Sequence, residues 1–372
     1  MGIKRANTKT TALLKVLKER ILDGRYVASR KFPSETALAR RFGVSRSLAA
    51  IAVGELERMG LVVRQQGRGT FVPQGLASSR KIGLVVPGVA CTDFFQPIIS
   101  EINQLARQND YSLLFAEVFS QDRAERIRQV RELSAEFVKK RVAGVIYEPL
   151  AGPNGVEANE HILRVFRKAK IPVVLLDCDI TPFPQRSAYD VVGVNDVEAG
   201  AKIAEHLLKT GAKKVHFLVC RLFPTTFENR LYGAETVLFR AGRSKSVAVL
   251  RAEADDLPVL RRHLRRFGRP DAFVCSNDAI AAVFRQTLAK AGLDVPKDLM
   301  LTGFSDMAVA SLMTPQLTTI RQSRDQMGGA AFRRLLERIR NPDLPPSEIL
   351  FPSPLVVRES TVGWKKAKGK QG

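Results

Sequence analysis

Apolar positions near the start of the chain recur every three or four residues, the period of a helix with one buried face. Over residues 8–23, Leu13, Leu14, Leu17, Ile21 and Leu22 form such a stripe, with Lys15, Lys18 and Arg20 on the polar side. Ala37, Leu38 and Phe42 predict a short second helix that Ser34, after Pro33, would cap and Gly43 would end. Leu48, Ile51, Ala52, Leu56 and Met59 predict a longer third helix between Ser45 and Gly60. Two β-rich runs, Leu61–Val63 and Thr70–Val72, then flank the turn Gly67–Arg68–Gly69. Gly54 inside the third helix costs about 1 kcal/mol relative to Ala, and no feature of the sequence accounts for it.

From Lys81 the pattern becomes alternating strands and helices. Apolar, β-branched runs occur at Ile82–Val86, Leu113–Val118, Val142–Tyr147, Val173–Leu176, Val191–Val194, Val215–Val219, Val247–Leu250, Ala272–Cys275 and Leu299–Phe304. Helical stretches lie between them at Phe95–Asn109, Arg123–Lys140, Ile162–Lys170, Ala199–Thr210, Leu257–Phe267 and Ile280–Ala291. Continuously apolar strands alternating with helices imply parallel sheets covered on both faces. Nine such units exceed one comfortable sheet and predict two α/β lobes. Ligands of such folds bind beyond the carboxyl ends of the strands, here between the lobes.

Charge sharpens this division. The chain carries a net +22, and residues 1–80 hold 16 Lys or Arg against 5 Asp or Glu. Half of the excess therefore sits in the first fifth, as in a domain that meets phosphates. Two helices joined by a tight turn and followed by a basic hairpin make a winged helix-turn-helix. Its third helix would present its first residues to the major groove of duplex DNA, and the hairpin would lie along phosphates or the minor groove.

The residues resemble a known family. "PSETALARRFGVSR" and "GLVVRQQGRGTFV" are similar to the DNA-binding domain of the GntR (gluconate repressor) family over about residues 8–73. The resemblance implies base readout by Arg46, phosphate or base contacts by Ser45 and Ser47, and wing contacts by Arg68, Gly69 and Thr70. Ser34 and Arg64 complete the expected DNA-facing set. Thr36 and Ala50 stand where the family usually has Arg, which leaves fewer side chains to read the operator.

Later phrases resemble the effector-binding domain of the LacI/GalR family, itself related to periplasmic sugar-binding proteins. They are "GVNDVEAGAKIAEHLLKTGAKKVHFL", "NRLYGAE", "AFVCSNDAIAAVFRQTLAKAGLDVPKDLMLTGFSD", "TPQLTTIRQS" and "LVVREST", in that order. The implied fold class is α/β: a winged helix-turn-helix followed by a two-lobed, Rossmann-like, periplasmic-binding-protein-like domain. The expected boundaries are 1–73 for the head, 74–80 for a small polar linker, 81–362 for the effector and dimerisation domain, and 363–372 for a basic tail. The order of the two modules resembles the arabinose-repressor subfamily, as does Glu148–Pro149 after the third strand, and that similarity implies a pentose-type sugar effector.

Sugar recognition needs forked or multi-acceptor groups for neighbouring hydroxyls and an apolar surface for the C–H face. The resemblance gives effector roles to Arg230 and Asp278; strand-end position adds Asp93, Phe94, Glu148 and Asn195. Bland alternatives stand beside these. Asn277 and Asp278 precede a helix they would cap, Arg230 would serve in a surface ion pair, and Glu148 as an ordinary loop residue. One of Phe94 and Phe95 faces the cleft and the other the core. Asp306 is expected to shape its loop.

Other classes are disfavoured. No nucleophile elbow, phosphate loop, HExxH or metal-ligand cluster is present, so neither an enzyme nor a cofactor is expected. Cys91, Cys178, Cys220 and Cys275 are widely spaced and read as free core thiols of a reducing cytoplasm. His161, His206, His216 and His263 lack ligand spacing and read as surface or satisfied core residues. No apolar run approaches the length of a membrane span, and the N-terminus does not read as a secretory signal. The expectation is a cytoplasmic homodimeric regulator, more specifically a repressor, with an operator in double-stranded DNA and a small sugar as partners. The alternatives are a DNA-binding head on a sugar-active enzyme, or a regulator whose sensor binds a non-sugar ligand or a protein.

Overall fold

The computed structural model describes residues 12–18, 20–21, 26, 31–72, 80–87, 92–118, 120, 122–152, 155–220, 225–243 and 246–364. Leu22, Cys91, nearly all of the expected linker and the tail beyond residue 364 lie outside them. The chain divides into two compact units, Met1–Lys81 with Asn109–Ser112, and the remainder.

In the first unit Ser34 caps the helix Glu35–Phe42 by accepting the Ala37 N–H at 3.2 Å, and Gly43 ends it at φ 62°. Ser45 caps the helix Arg46–Arg58 by accepting the Leu48 N–H at 3.3 Å. The buried core gathers Leu13, Leu17, Ile21, Leu38, Ala49, Ala52, Val53 and Leu56 with Leu61, Val62 and Val72. This corrects the expected stripe of the longer helix. Ile51 is 54% and Met59 45% exposed, while Ala49 and Val53 are buried. The inward face runs through Ala49, Ala52, Val53 and Leu56, which leaves Ile51 and Met59 on the flank.

The wing is also shifted. Strand β1 is Val63–Gln65, two residues later than expected, and β2 is Gly69–Phe71. They pair antiparallel as Val63↔Phe71 and Gln65↔Gly69. Leu61 and Val62 are instead core residues that lead into the hairpin. The Phe32 N–H donates to the Thr70 carbonyl at 2.6 Å. Gly69 adopts a φ of 116°, which residues with a Cβ rarely adopt, so glycine suits this position of the hairpin.

Apart from the first two residues of β3 and of β4, the second unit holds β3 (Arg80–Pro87), β4 (Tyr111–Val118), β5 (Gly144–Tyr147), β6 (Val173–Asp177), β7 (Asp190–Val194), β8 (Val215–Val219), β9 (Val247–Arg251), β10 (Ala272–Cys275), β11 (Met300–Thr302), β12 (Thr319–Ile320), β13 (Glu348–Phe351) and β14 (Leu355–Val356). The nine expected runs are β3 to β11. They form two sheets, ordered β13-β7-β6-β5-β3-β4 and β11-β10-β8-β9. The pairs β13–β7, β7–β6, β6–β5 and β5–β3, and all three pairs of the smaller sheet, are parallel. Each sheet has its own core, built around Phe137, Phe166 and Tyr147 in the first lobe and Phe273, Phe284 and Leu288 in the second.

The chain passes between lobes after β7, after β12 and after β13, and the antiparallel pair β12–β14 joins the last two passages. The expected helix at Ile162 begins earlier, at Gly155. Several further elements were not expected, among them the helix Arg324–Arg340 and strand β13. That helix carries Gly328–Gly329 in its interior, which weakens its helical signature. The same pair allows close packing, since a Cβ on Gly328 would lie 2.7 Å from the Ile98 carbonyl oxygen.

Candidate functional site

Two groups of side chains stand out, one at the head of the helix Arg46–Arg58 and one where the carboxyl ends of the two sheets meet. In the head, Arg46 is exposed at the first position of its helix and makes no hydrogen bond or ion pair within the described residues. Ser45 Oγ lies 3.0 Å from Ser47 Oγ and also caps the helix, so both hydroxyls flank Arg46 on the exposed end. Arg68 is exposed at the hairpin tip, its N–H closing the turn onto the Gln65 carbonyl. Thr70 and Gly69 face Arg64 and Gln65 across the hairpin. Ser34 and Arg64 stand differently from the rest. The Ser34 hydroxyl is engaged as a cap. Arg64 bridges Glu35 at 3.2 Å and Glu57 at 3.4 Å, pinning the wing to both helices.

At the sheet ends, Glu148 follows β5, Asp177 ends β6, and Asn195 and Asp196 follow β7. Arg230, in the second turn of the helix Thr225–Arg240, points into this group. Its Nε donates to Asp196 Oδ1 at 2.7 Å and its Nη1 to the Ser276 carbonyl at 2.9 Å. Its Cζ stands 3.4 Å from the centroid of the Phe304 ring, a cation–π contact. The expected alternative of a surface ion pair does not describe it, because Asp196 is buried.

Burial dominates the electrostatics. It raises the Asp196 carboxyl to about 7, with Asp177 adding repulsion and Arg230 opposing the rise. Burial likewise raises Asp177, with Arg230 opposing. Glu148 is only 7% exposed, and burial followed by repulsion from Asp177 holds its carboxyl well above the ordinary range. Its Oε2 has no hydrogen-bond partner among the described residues. Buried polar atoms are almost always paired, so this atom at a strand end is an exception.

Other expected residues sit apart from this acceptor group or are already engaged. Asp278 is 0% exposed, with Oδ1 accepting the Thr319 hydroxyl at 2.6 Å and Oδ2 the Met307 N–H at 2.7 Å. It braces β10 against the crossover strand β12, while Asn277 caps the helix by accepting the Ile280 N–H at 2.8 Å. Asn195 caps its helix through Glu198. Asp93 is exposed, its carbonyl accepting from Arg324. Phe95 is buried and Phe94 half-buried against it, so Phe95 is the core member of the pair. Asp306 shapes its loop through Arg321 at 2.6 Å and Arg358 at 2.7 Å.

Sequence reasoning passed over Asp177, Asp196, Ser276 and Phe304. The signal for the two carboxylates was available, since each directly ends or follows an apolar strand. His216 and His263 pair in the second core at 3.0 Å. Cys178, Cys220 and Cys275 are free. Among the described residues no group of His, Cys, Asp and Glu is placed to hold a metal.

Residues 10–72 match the gntR family of bacterial regulatory proteins, and residues 204–361 match the periplasmic binding protein-like domain. The chain joins a GntR-type head to a periplasmic-binding-protein-like sensor. Similar proteins match along most of the chain. The arabinose metabolism transcriptional repressor of Geobacillus stearothermophilus is 28% identical over 361 residues, covering 92% of this chain and 94% of that protein. Its counterpart from Halalkalibacterium halodurans is 26% identical, covering 97% and 99%. Among solved structures, the transcriptional regulator CelR–cellobiose complex matches with a TM-score of 0.64 over 88% of this chain and 100% of that one. At 19% identity that likeness concerns the fold alone. With this GntR-type head and sensor, the chain is a ligand-responsive DNA-binding transcriptional regulator.

Proposed function

We propose that this regulator is a sugar-responsive, cytoplasmic, homodimeric repressor whose operator affinity changes when a small neutral sugar binds between the lobes of the sensor. The observation that carries the reading is the orphaned, buried Oε2 of Glu148 beside Asp177 and the Arg230–Asp196 pair. Together these groups offer an acceptor-rich surface suited to a ligand rich in hydroxyl donors. Among the described residues of this group the cation, Arg230, is already paired with Asp196, so beside the three carboxyls they offer a phosphate no free counter-charge. The ligand class favoured is therefore an unphosphorylated sugar. Similarity to the two arabinose metabolism repressors favours a pentose.

In this reading Arg230, Glu148 and Asp177 contact the sugar, Phe94 supplies apolar surface, Phe304 backs the Arg230 guanidinium, and Asp278 and Asn195 hold the crossovers on which closure turns. Asp93 lies at the rim. Sugar that prefers one lobe arrangement would shift the operator equilibrium, a coupling typically of about 1–3 kcal/mol. In the head, Arg46 reads bases, Ser45, Ser47, Arg68, Gly69 and Thr70 meet the backbone, and Ser34 and Arg64 hold these elements in place.

The test is a thermal-shift screen of the full chain against free pentoses, free hexoses and their phosphates, followed by operator binding with and without the responding sugar. A ligand at 100 times its Kd stabilises by about 2.7 kcal/mol. The reading fails if only phosphorylated sugars respond, or if a bound sugar leaves operator affinity unchanged.

A further inference from the structure

The first lobe carries a second concavity at the opposite end of its sheet. It has a volume of about 650 Å³. Ala143 precedes β5, Val173 opens β6 and Asp190 opens β7, whereas Glu148, Asp177 and Asp196 lie at the far ends of the same strands. Five strand residues, about 16 Å, separate the two places. This groove is not part of the sugar site.

Its lining divides by chemistry. Ile171, Pro172, Ile339 and Pro342 give apolar walls. Asp190 in the floor is 1% exposed and held by Arg334 Nε at 2.9 Å and Arg338 Nε at 2.8 Å, so this carboxylate is neutralised from within the protein. Arg167 and Lys170 stand exposed at the rim, and neither has a carboxylate partner within the described residues. Arg167 Nη2 instead donates to the Tyr189 hydroxyl at 2.9 Å, which holds the guanidinium over the groove. A concavity of a few hundred Å³, mostly apolar with a few convergent polar groups, has the form of a small-molecule site.

We infer that this groove is a second ligand site, which takes a small amphipathic anion. Its flat apolar body lies between Pro172 and Ile339, and its acidic group meets Arg167 and Lys170. The charge balance selects the class: the floor is neutralised and the rim is doubly positive, so an apolar cation is repelled. A neutral apolar molecule gains only the walls. The inference does not rest on the sugar reading, because no residue is shared between the two sites.

The probe is 8-anilinonaphthalene-1-sulfonate, an aromatic anion whose fluorescence rises on apolar binding, titrated into the full chain. Its uncharged analogue, N-phenyl-1-naphthylamine, is titrated in parallel. The variant Arg167→Ala/Lys170→Asn removes both cations at exposed positions, and Asn tolerates the φ of 56° that Lys170 adopts. Arg167→Glu is the second variant. Both are expected to weaken one equivalent of the anionic probe about tenfold or more, as loss of charge-assisted contacts does, while the uncharged analogue binds all three proteins alike. Equal affinity of the anionic probe for wild type and both variants would overturn the site. So would loss of that equivalent on Glu148→Gln alone, which would place the probe between the lobes.

Discussion

Nε of Arg230 lies 2.7 Å from Oδ1 of Asp196, both side chains are nearly closed to solvent, and each comes from a different helix. Breaking a buried pair by removing one partner leaves the other charge uncompensated, typically at about 3–5 kcal/mol. Arg230→Met is expected to destabilise the sensor by that order and to abolish sugar binding. Asp196→Asn should cost less, because burial already carries that carboxyl to about 7, where it is partly protonated at neutral pH. Chemical denaturation of both single variants and the double variant measures the coupling. If Arg230→Met costs the same in the Asp196→Asn background, the pair is not coupled.

Two glycines set where that pair sits. A Cβ on Gly200 would lie 1.9 Å from the Arg230 carbonyl oxygen, and one on Gly233 would lie 1.9 Å from that of Val197. Both obstacles are backbone, which cannot rotate aside. Gly200→Ala or Gly233→Ala should therefore separate the helices Asp196–Lys209 and Thr225–Arg240. Overpacking typically costs about 1–3 kcal/mol, and the shift also moves Arg230. Calorimetric melting and sugar titration should both deteriorate; a Gly200→Ala protein that melts and binds like wild type would contradict this account.

Much of this arrangement could be read from the sequence, and what escaped did so for physical reasons. Most of the strands β3 to β11 announce themselves because they are buried on both faces and so continuously apolar, while the edge strands β4 and β9 are only partly buried. Strand β13 is four residues between prolines, half exposed at the sheet edge, and its composition resembles a loop. The partners of Arg230 lie 34 residues away at Asp196 and 46 away at Ser276, a proximity that only the fold creates. Asp278 shows the converse. Its place before a helix and after a strand is that of a ligand residue, yet Thr319 and Met307 already engage both of its oxygens.

The buried histidines predict a pH limit. His216 Nδ1 lies 3.0 Å from His263 Nε2 beside Phe267 and Phe273, with Lys214 as a nearby charge. Burial, then repulsion from His263 and Lys214, pushes His216 down to about 3 from an ordinary 6.5. The folded state therefore binds this proton less readily than the unfolded chain does. The pair's contribution is complete above about pH 6.5 and lost as pH falls from there toward 3. A melting series across that range should show a decline that His216→Gln/His263→Gln flattens. An unchanged slope in that variant would assign the decline to other groups.

Gly54 offers a gain in stability. It lies inside the helix Arg46–Arg58 in ordinary helical backbone, and an added Cβ would meet nothing within 4 Å. Gly54→Ala should stabilise the head by up to about 1 kcal/mol through helix propensity and a less flexible unfolded chain. Unfolding of the head, followed by helical circular dichroism in urea, reports the change. A loss of stability would contradict the open space beside this position.

Arg46 and Arg64 lie on the same small unit and should fail differently. Arg46 is unpartnered within the described residues, whereas Arg64 ties the wing to Glu35 and Glu57 and also donates its backbone N–H to Glu57 Oε1. Removing a base-reading Arg typically costs about 1–3 kcal/mol and relaxes choice at one base pair. Arg46→Ala should therefore weaken operator binding by that amount while leaving non-specific binding little changed. Arg64 is partly exposed, so Arg64→Ala should cost at most about 1 kcal/mol of stability. Its effect on DNA should fall alike on specific and non-specific sites, because the wing as a whole loosens. Fluorescence anisotropy with operator and scrambled duplexes at one fixed salt concentration separates the two outcomes. If Arg46→Ala reduced both affinities by the same factor, its role would be a phosphate contact, and base reading would belong elsewhere on the helix.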